Sequence, residues 1–263
     1  MLTDSSAFGP QTQSRRKKVC LFCNDQEAKV TLEHALSAPI WKHVDKGLIQ
    51  RTTMDSFRDG ERTVHNEWES TSKDDKGPWK RKLYCQTCNG GWMNDLDLAV
   101  SDLVGPMIRG EESSLSPDDQ HLLATWVTKA SLVFESMFAD KEVPDSTYHD
   151  FYNLREPSQN EPIDLAKFGG PFHHVFARRV LKFRNYPDDQ VTSVEKSVIV
   201  VSLDRFVFRC SINIGSLIAL NRVNSGFIVR MWPSPGVVID WPPRVEINNE
   251  TFAAFTEPAW HYL

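Results

Sequence analysis

Four of the five cysteines fall into two Cys-x2-Cys pairs, Cys20 with Cys23 and Cys85 with Cys88, while Cys210 stands alone far downstream. Two residues between thiolates let a tight knuckle point both sulfurs at one metal ion, and two such knuckles complete a tetrahedron around zinc. Disulfides are the weaker alternative, because the N-terminus MLTDSSAFGP has no basic-then-apolar export pattern, and a redox site would need only one pair beside a βαβ pattern. A four-thiolate site has no open coordination position, so this zinc is expected to hold the fold and leave chemistry to its neighbours.

The composition explains why a staple is needed. Through Asp95 the chain carries 15 Lys+Arg against 13 Asp+Glu and only about a third of its residues are apolar. From Leu96 onward the balance is 15 against 22 and nearly half are apolar. The first segment is too poor in core formers to fold on burial alone. The overall net charge of −5 argues against a protein that coats nucleic acid indiscriminately. No apolar stretch approaches the roughly 18 residues of a membrane span. The sequence therefore reads as a soluble, cytoplasmic protein without a membrane partner.

The pattern predicts an α+β chain: a basic-ended tail over 1–18, a zinc-stapled unit over 19–97, and a helical segment leading into an antiparallel, β-rich C-terminal domain over 98–263. A short strand is expected at Lys29–Leu32, and a long, loop-rich insertion between Asp45 and Lys82. A helix is expected over Asp95–Ile108. Ser116 with Pro117 opens a second helix, whose apolar residues from Leu122 to Phe138 form a core-facing stripe. Asp145–Leu154 adds a short helix. A period of two then marks strands at Ser197–Leu203, Phe206–Ile214, Ser216–Val223 and Phe227–Trp232, with a turn at Asn224-Ser225-Gly226 and proline-broken loops beyond. Cys210 is read as a buried strand thiol, Trp92 as a core anchor, His43 as a helix-surface residue, and His173-His174 as ordinary.

The residues that carry chemistry flank the knuckles. Glu33 and His34 follow the first strand, and Asn89 directly follows Cys88, so a metal that joins the knuckles sets Asn89 opposite the Glu-His pair. A carboxylate and an amide oxygen suit a hard Mg2+ or Mn2+, and an imidazole titrates near neutral pH.

The order Cys-x2-Cys, acidic-His, Cys-x2-Cys-Asn resembles the HNH nucleases, also called ββα-metal or His-Me finger nucleases. The similarity is greatest to their zinc-stapled branch, which includes phage recombination endonuclease VII. It covers about Cys20 to Asp97. The resemblance implies a DNA phosphodiester hydrolase with structural zinc on Cys20, Cys23, Cys85 and Cys88. His34 is then the general base, and Glu33 and Asn89 hold the catalytic divalent ion. Glutamate stands where the family commonly has aspartate, and Asn94 takes the place of the final helix histidine, a His-Asn-Asn variant. The family's middle asparagine has only Asn66 as a candidate in the insertion. Candidate DNA contacts are the runs Arg15, Arg16, Lys17, Lys18 and Lys80, Arg81, Lys82, each attached to a knuckle. The resemblance suggests restriction or phage defence, with the C-terminal domain as a surface for self-association or a protein partner. The competing expectation is a zinc-stapled module that binds nucleic acid or protein without cutting.

Overall fold

An antiparallel strand pair brings the two knuckles together. In the computed structural model, which describes residues 19–45, 50–58, 61–70, 80–138, 143–170, 174–185, 192–214 and 226–256, β1 (Val30–His34) lies against β4 (Lys80–Cys85). Val30 pairs with Cys85 and His34 with Lys80, with a bulge between Thr31 and Glu33. The single turn α1 (Ala38–Trp41) follows β1, with proline in its first turn. After β4 comes one helical turn, α2 (Gln86–Cys88), then a widened turn over Asn89–Met93 in which Gly91 leaves helical geometry. The chain then enters α3 (Asn94–Arg109), which ends at a left-handed Gly110.

The insertion between the knuckles corrects the expectation of a loop. It contains two long strands, β2 (Gln50–Arg58) and β3 (Glu61–Ser70), paired as a hairpin. Few of its residues are apolar, so the alternation that normally announces a strand is faint in the sequence. The hairpin also forms part of a larger sheet, because β2 runs parallel to β7 (His174–Asn185) from Gln50 opposite His174 to Arg58 opposite Lys182.

That sheet has seven strands in the order β10-β6-β9-β8-β7-β2-β3, antiparallel at every junction except β2 with β7. Its other members are β6 (Ile163–Lys167), β8 (Thr192–Leu203), β9 (Phe206–Ile214) and β10 (Val229–Trp232). A separate pair joins β5 (Ser113–Leu115) to β11 (Ile239–Trp241). The expected strand at Ser216–Val223, most of the Asn224-Ser225-Gly226 turn, and His173 lie outside the described residues, and of His174 only the backbone is described.

The middle strands β8 and β9 are covered on both faces. Val198, Val200 and Val207 face α6 (Asn249–Thr256) through Phe252 and Phe255, while Ile199, Val201, Phe206, Phe208 and Cys210 join the main core. Through the middle of that core runs α4 (Pro117–Glu135), opened by a capping box in which Ser116 and Asp119 satisfy each other's backbone. Every residue of α4 from Leu123 to Glu135 is buried, so the expected one-sided stripe is a helix enclosed all round. Enclosure brings charged side chains inside, and Glu135 is paired: it accepts two hydrogen bonds from Arg178, both 2.8 Å, and one from Ser197 at 2.7 Å.

The knuckles dock onto this core through aromatic contacts. Phe22 lies 5.0 Å from Tyr84, 5.1 Å from Trp92 and 5.8 Å from Tyr148 of α5 (Asp145–Leu154). Helix α3 runs unbroken through residues 97 and 98, and one apolar cluster draws on both the knuckle residues and the C-terminal strands.

Candidate functional site

Each knuckle is shaped by its own backbone. In the first, Asn24 takes a left-handed conformation and returns its N–H to the Cys20 carbonyl, which turns both Cys20 and Cys23 to one side. In the second, the Cys88 N–H donates to Cys85 Sγ at 3.4 Å, and across the pair the Cys85 N–H donates to Cys20 Sγ at 3.3 Å. The four sulfurs lie within 4.8 Å of one another, with Cys23 and Cys85 3.6 Å apart. Four thiolates at zinc bonding distance stand roughly 3.8 Å from each other, so the cluster could hold a structural zinc with little movement.

The protonation pattern agrees. The hydrogen bond between Cys20 and Cys88 holds Cys20 down to about 4 and pushes Cys88 up, while burial raises Cys23 to about 11. Four thiols so close cannot all ionise unless a cation shares the site.

Around the cluster the predicted site residues take separate positions. Asn89 donates from its amide nitrogen to Thr31 Oγ1 and to the Leu32 carbonyl, both at 3.0 Å, which fixes it against the residue preceding Glu33. Both donor bonds go to β1, which leaves Oδ1 as the atom able to accept or ligate. His34 is half-buried beside Lys80 in register, and Glu33 pairs with Arg81. The side chains of Lys80, Arg81 and Lys82 are exposed, so the second basic run lies directly across from the Glu-His pair. Arg15, Arg16, Lys17 and Lys18 lie outside the described residues, and of Asn66 only the backbone is described, opposite Met54. Asn94 is half-buried at the start of α3, one turn before Asp97.

Glu33 itself turns inward and is only 5% exposed. Burial pushes its carboxyl up to about 7, against the pull of the Lys129 ammonium and with a smaller push from Asp97. Lys129 is fully buried and donates to both oxygens of Asp97, at 2.7 and 2.9 Å, while the Trp126 indole donates to the same carboxylate at 2.8 Å. Sequence reasoning missed this pair, because Lys129 lies on an apolar helix where only the surrounding burial reveals a lone lysine's partner.

Other predicted residues are structural. His43 shares a 3.0 Å hydrogen bond with Ser101 and sits so close to Gly105 that a Cβ there would meet its ring at 2.7 Å. Cys210 is buried on β9, as the alternation predicts. Trp92 is partly buried against Phe22 and Phe151.

These features define an α+β protein in which a four-cysteine centre ties an antiparallel strand pair to the helix that follows. No family model, no curated protein and no solved structure matches the chain. Among the described residues, no helix is long and apolar enough to cross a membrane.

Proposed function

We propose that the chain is a metal-dependent endonuclease of the HNH type, acting on DNA phosphodiester bonds. The observation that carries this is the register of β1 with β4: it sets Glu33 and His34 across from the exposed Lys80, Arg81 and Lys82, while Asn89 hydrogen-bonds to the same strand. The succession of two antiparallel strands and a helix around the cysteines also supports the reading. His34 is the base that takes the proton of the attacking water, and the basic strand attracts the phosphate backbone. Asn89 Oδ1 and the Glu33 carboxylate are the donors for Mg2+ or Mn2+, an ion that would polarise the phosphate and stabilise the leaving oxygen. Asn94 supports the site from the start of α3.

The burial of Glu33 favours the second reading, a zinc-stapled module that binds nucleic acid or protein without cutting. A carboxyl held inward and raised to about 7 is a poor ligand until it is exposed and ionised. Nicking of supercoiled plasmid by the purified protein with Mg2+ or Mn2+ separates the two. Cleavage is expected to fall at least about a hundredfold in His34→Ala. Cleavage that survives that change removes His34 from the mechanism, and no cleavage with either ion leaves the binding module.

A further inference from the structure

A cavity of about 460 Å³ opens beside the cysteine centre, between the first turns of α3 and α4 and the C-terminal end of α5. Its size is that of a small-molecule pocket. Leu96 and Leu122 give it apolar walls, and Trp92 gives it an aromatic one. Its polar groups carry both signs. Asp95 and Asp118 line it with exposed side chains, His121 and Thr125 add uncharged polar groups, and Arg155 shares a wall with Trp92.

Arg155 is unusually fixed for an arginine. Its backbone is left-handed where it caps α5, and its guanidinium carbon lies 3.7 Å from the Trp92 ring centre and 4.1 Å from that of Tyr152. Stacking orients the planar fork, and the guanidinium edge that is not buried is left to donate to a ligand.

Neither charge class alone fits. An anion would meet two carboxylates, and an amine would meet a guanidinium. A flat, neutral ring with acceptors on one edge and paired donors on the other satisfies both. Guanine has this pattern: its O6 and N7 accept from an arginine fork, while its N1–H and 2-amino group together donate to one carboxylate. Adenine and cytosine set an acceptor beside their amino group, where a carboxylate would be repelled.

We propose that this cavity binds a guanine base, with the ring between Leu96, Leu122 and Trp92, its acceptor edge on Arg155, and its donor edge on Asp95 or Asp118. The base belongs either to a free nucleotide or to a single-stranded nucleic acid, and the chemistry in the pocket is the same.

The test is a titration of the full-length, zinc-loaded protein without Mg2+ or Mn2+, followed by tryptophan fluorescence and calorimetry, so that its outcome does not depend on cleavage. GMP is expected to bind about tenfold or more tightly than AMP, CMP or UMP. Asp95→Asn with Asp118→Asn should abolish that preference, and Leu122→Trp, which fills the cavity, should abolish binding while zinc content stays at one per chain. Tighter binding of a guanine-containing single-stranded oligonucleotide than of GMP assigns the base to a strand, and the reverse assigns it to a free nucleotide. Equal binding of all four nucleotides, no binding of GMP or the oligonucleotide, or unchanged GMP binding in Leu122→Trp would overturn the proposal.

Discussion

The first third of the chain and the remainder solve the same problem differently. The knuckle region is poor in apolar residues and gathers four sulfurs within 4.8 Å, a cluster that could hold a structural zinc in place of a larger core. The region from α4 onward has apolar residues to spare and encloses a whole helix. It must then neutralise the charges it buries, and it does so with Arg178 on Glu135 and Arg209 on Asp164. A scarce core calls for a metal; an ample core calls for internal ion pairs. The Lys129–Asp97 pair joins the two, because Asp97 rises from the helix that follows the second knuckle and Lys129 from the centre of the large core.

Removal of the metal should break the contrast most sharply. Cys85→Ser, or a strong chelator, is expected to cost on the order of 10 kcal/mol of folding free energy in the knuckle region. Metal analysis should give one zinc per chain before and none after. Hydrogen exchange should then rise in β1, β4 and the start of α3 more than in β8 and β9. Equal loss of protection everywhere would show that the two regions do not differ in what holds them.

Lys129→Met comes next. It leaves Asp97 buried and charged, which should cost about 3–5 kcal/mol in urea unfolding. Replacing Asp97 by leucine in the same chain should recover much of that loss. Failure to recover would mean that Lys129 serves a partner other than Asp97.

The effect of pH is smaller and has a definite sign. Glu33 has a folded pKa of about 7, above the 4.5 of an unperturbed glutamate, so between those values the folded state holds a proton that the unfolded chain has released. Its contribution to stability is therefore full below about 4.5 and is lost as pH rises through about 7. Denaturation across this window, in buffer free of Mg2+ and Mn2+, should show the decline, and Glu33→Gln should flatten it. A decline of the same size in Glu33→Gln assigns it to another group. Smallest of all, Ser116→Ala should cost about 1 kcal/mol by removing the α4 cap, with no change in zinc content.

Local features were legible in the sequence because their causes are local. The Cys-x2-Cys spacing placed the four-cysteine cluster, Ser116-Pro117 placed the start of α4, and the alternation around Cys210 placed β9 and its buried thiol. The strands of the hairpin were not legible. Their partner, β7, lies more than a hundred residues away, and an edge hairpin rich in charge carries little periodic signal. The candidate site was legible only in part. The adjacency of Asn89 to Cys88 pointed to the strand that bears Glu33 and His34, and Asn89 donates to Thr31 and Leu32 of that strand. The burial of Glu33 was invisible, because it depends on elements distant along the chain, among them the helix that carries Lys129.

The sequence by itself determined that this chain is α+β, that four cysteines share one centre, and where its main helices begin, since each rests on residues within a few positions of one another. Only the tertiary structure decided that the insertion completes a seven-stranded sheet, that Glu33 is buried within the influence of Lys129 and Asp97, and that Arg155 stacks on Trp92 beside an open cavity. Those features join groups distant along the chain, and burial, which sets their charge and their partners, exists only once the whole core has closed around them.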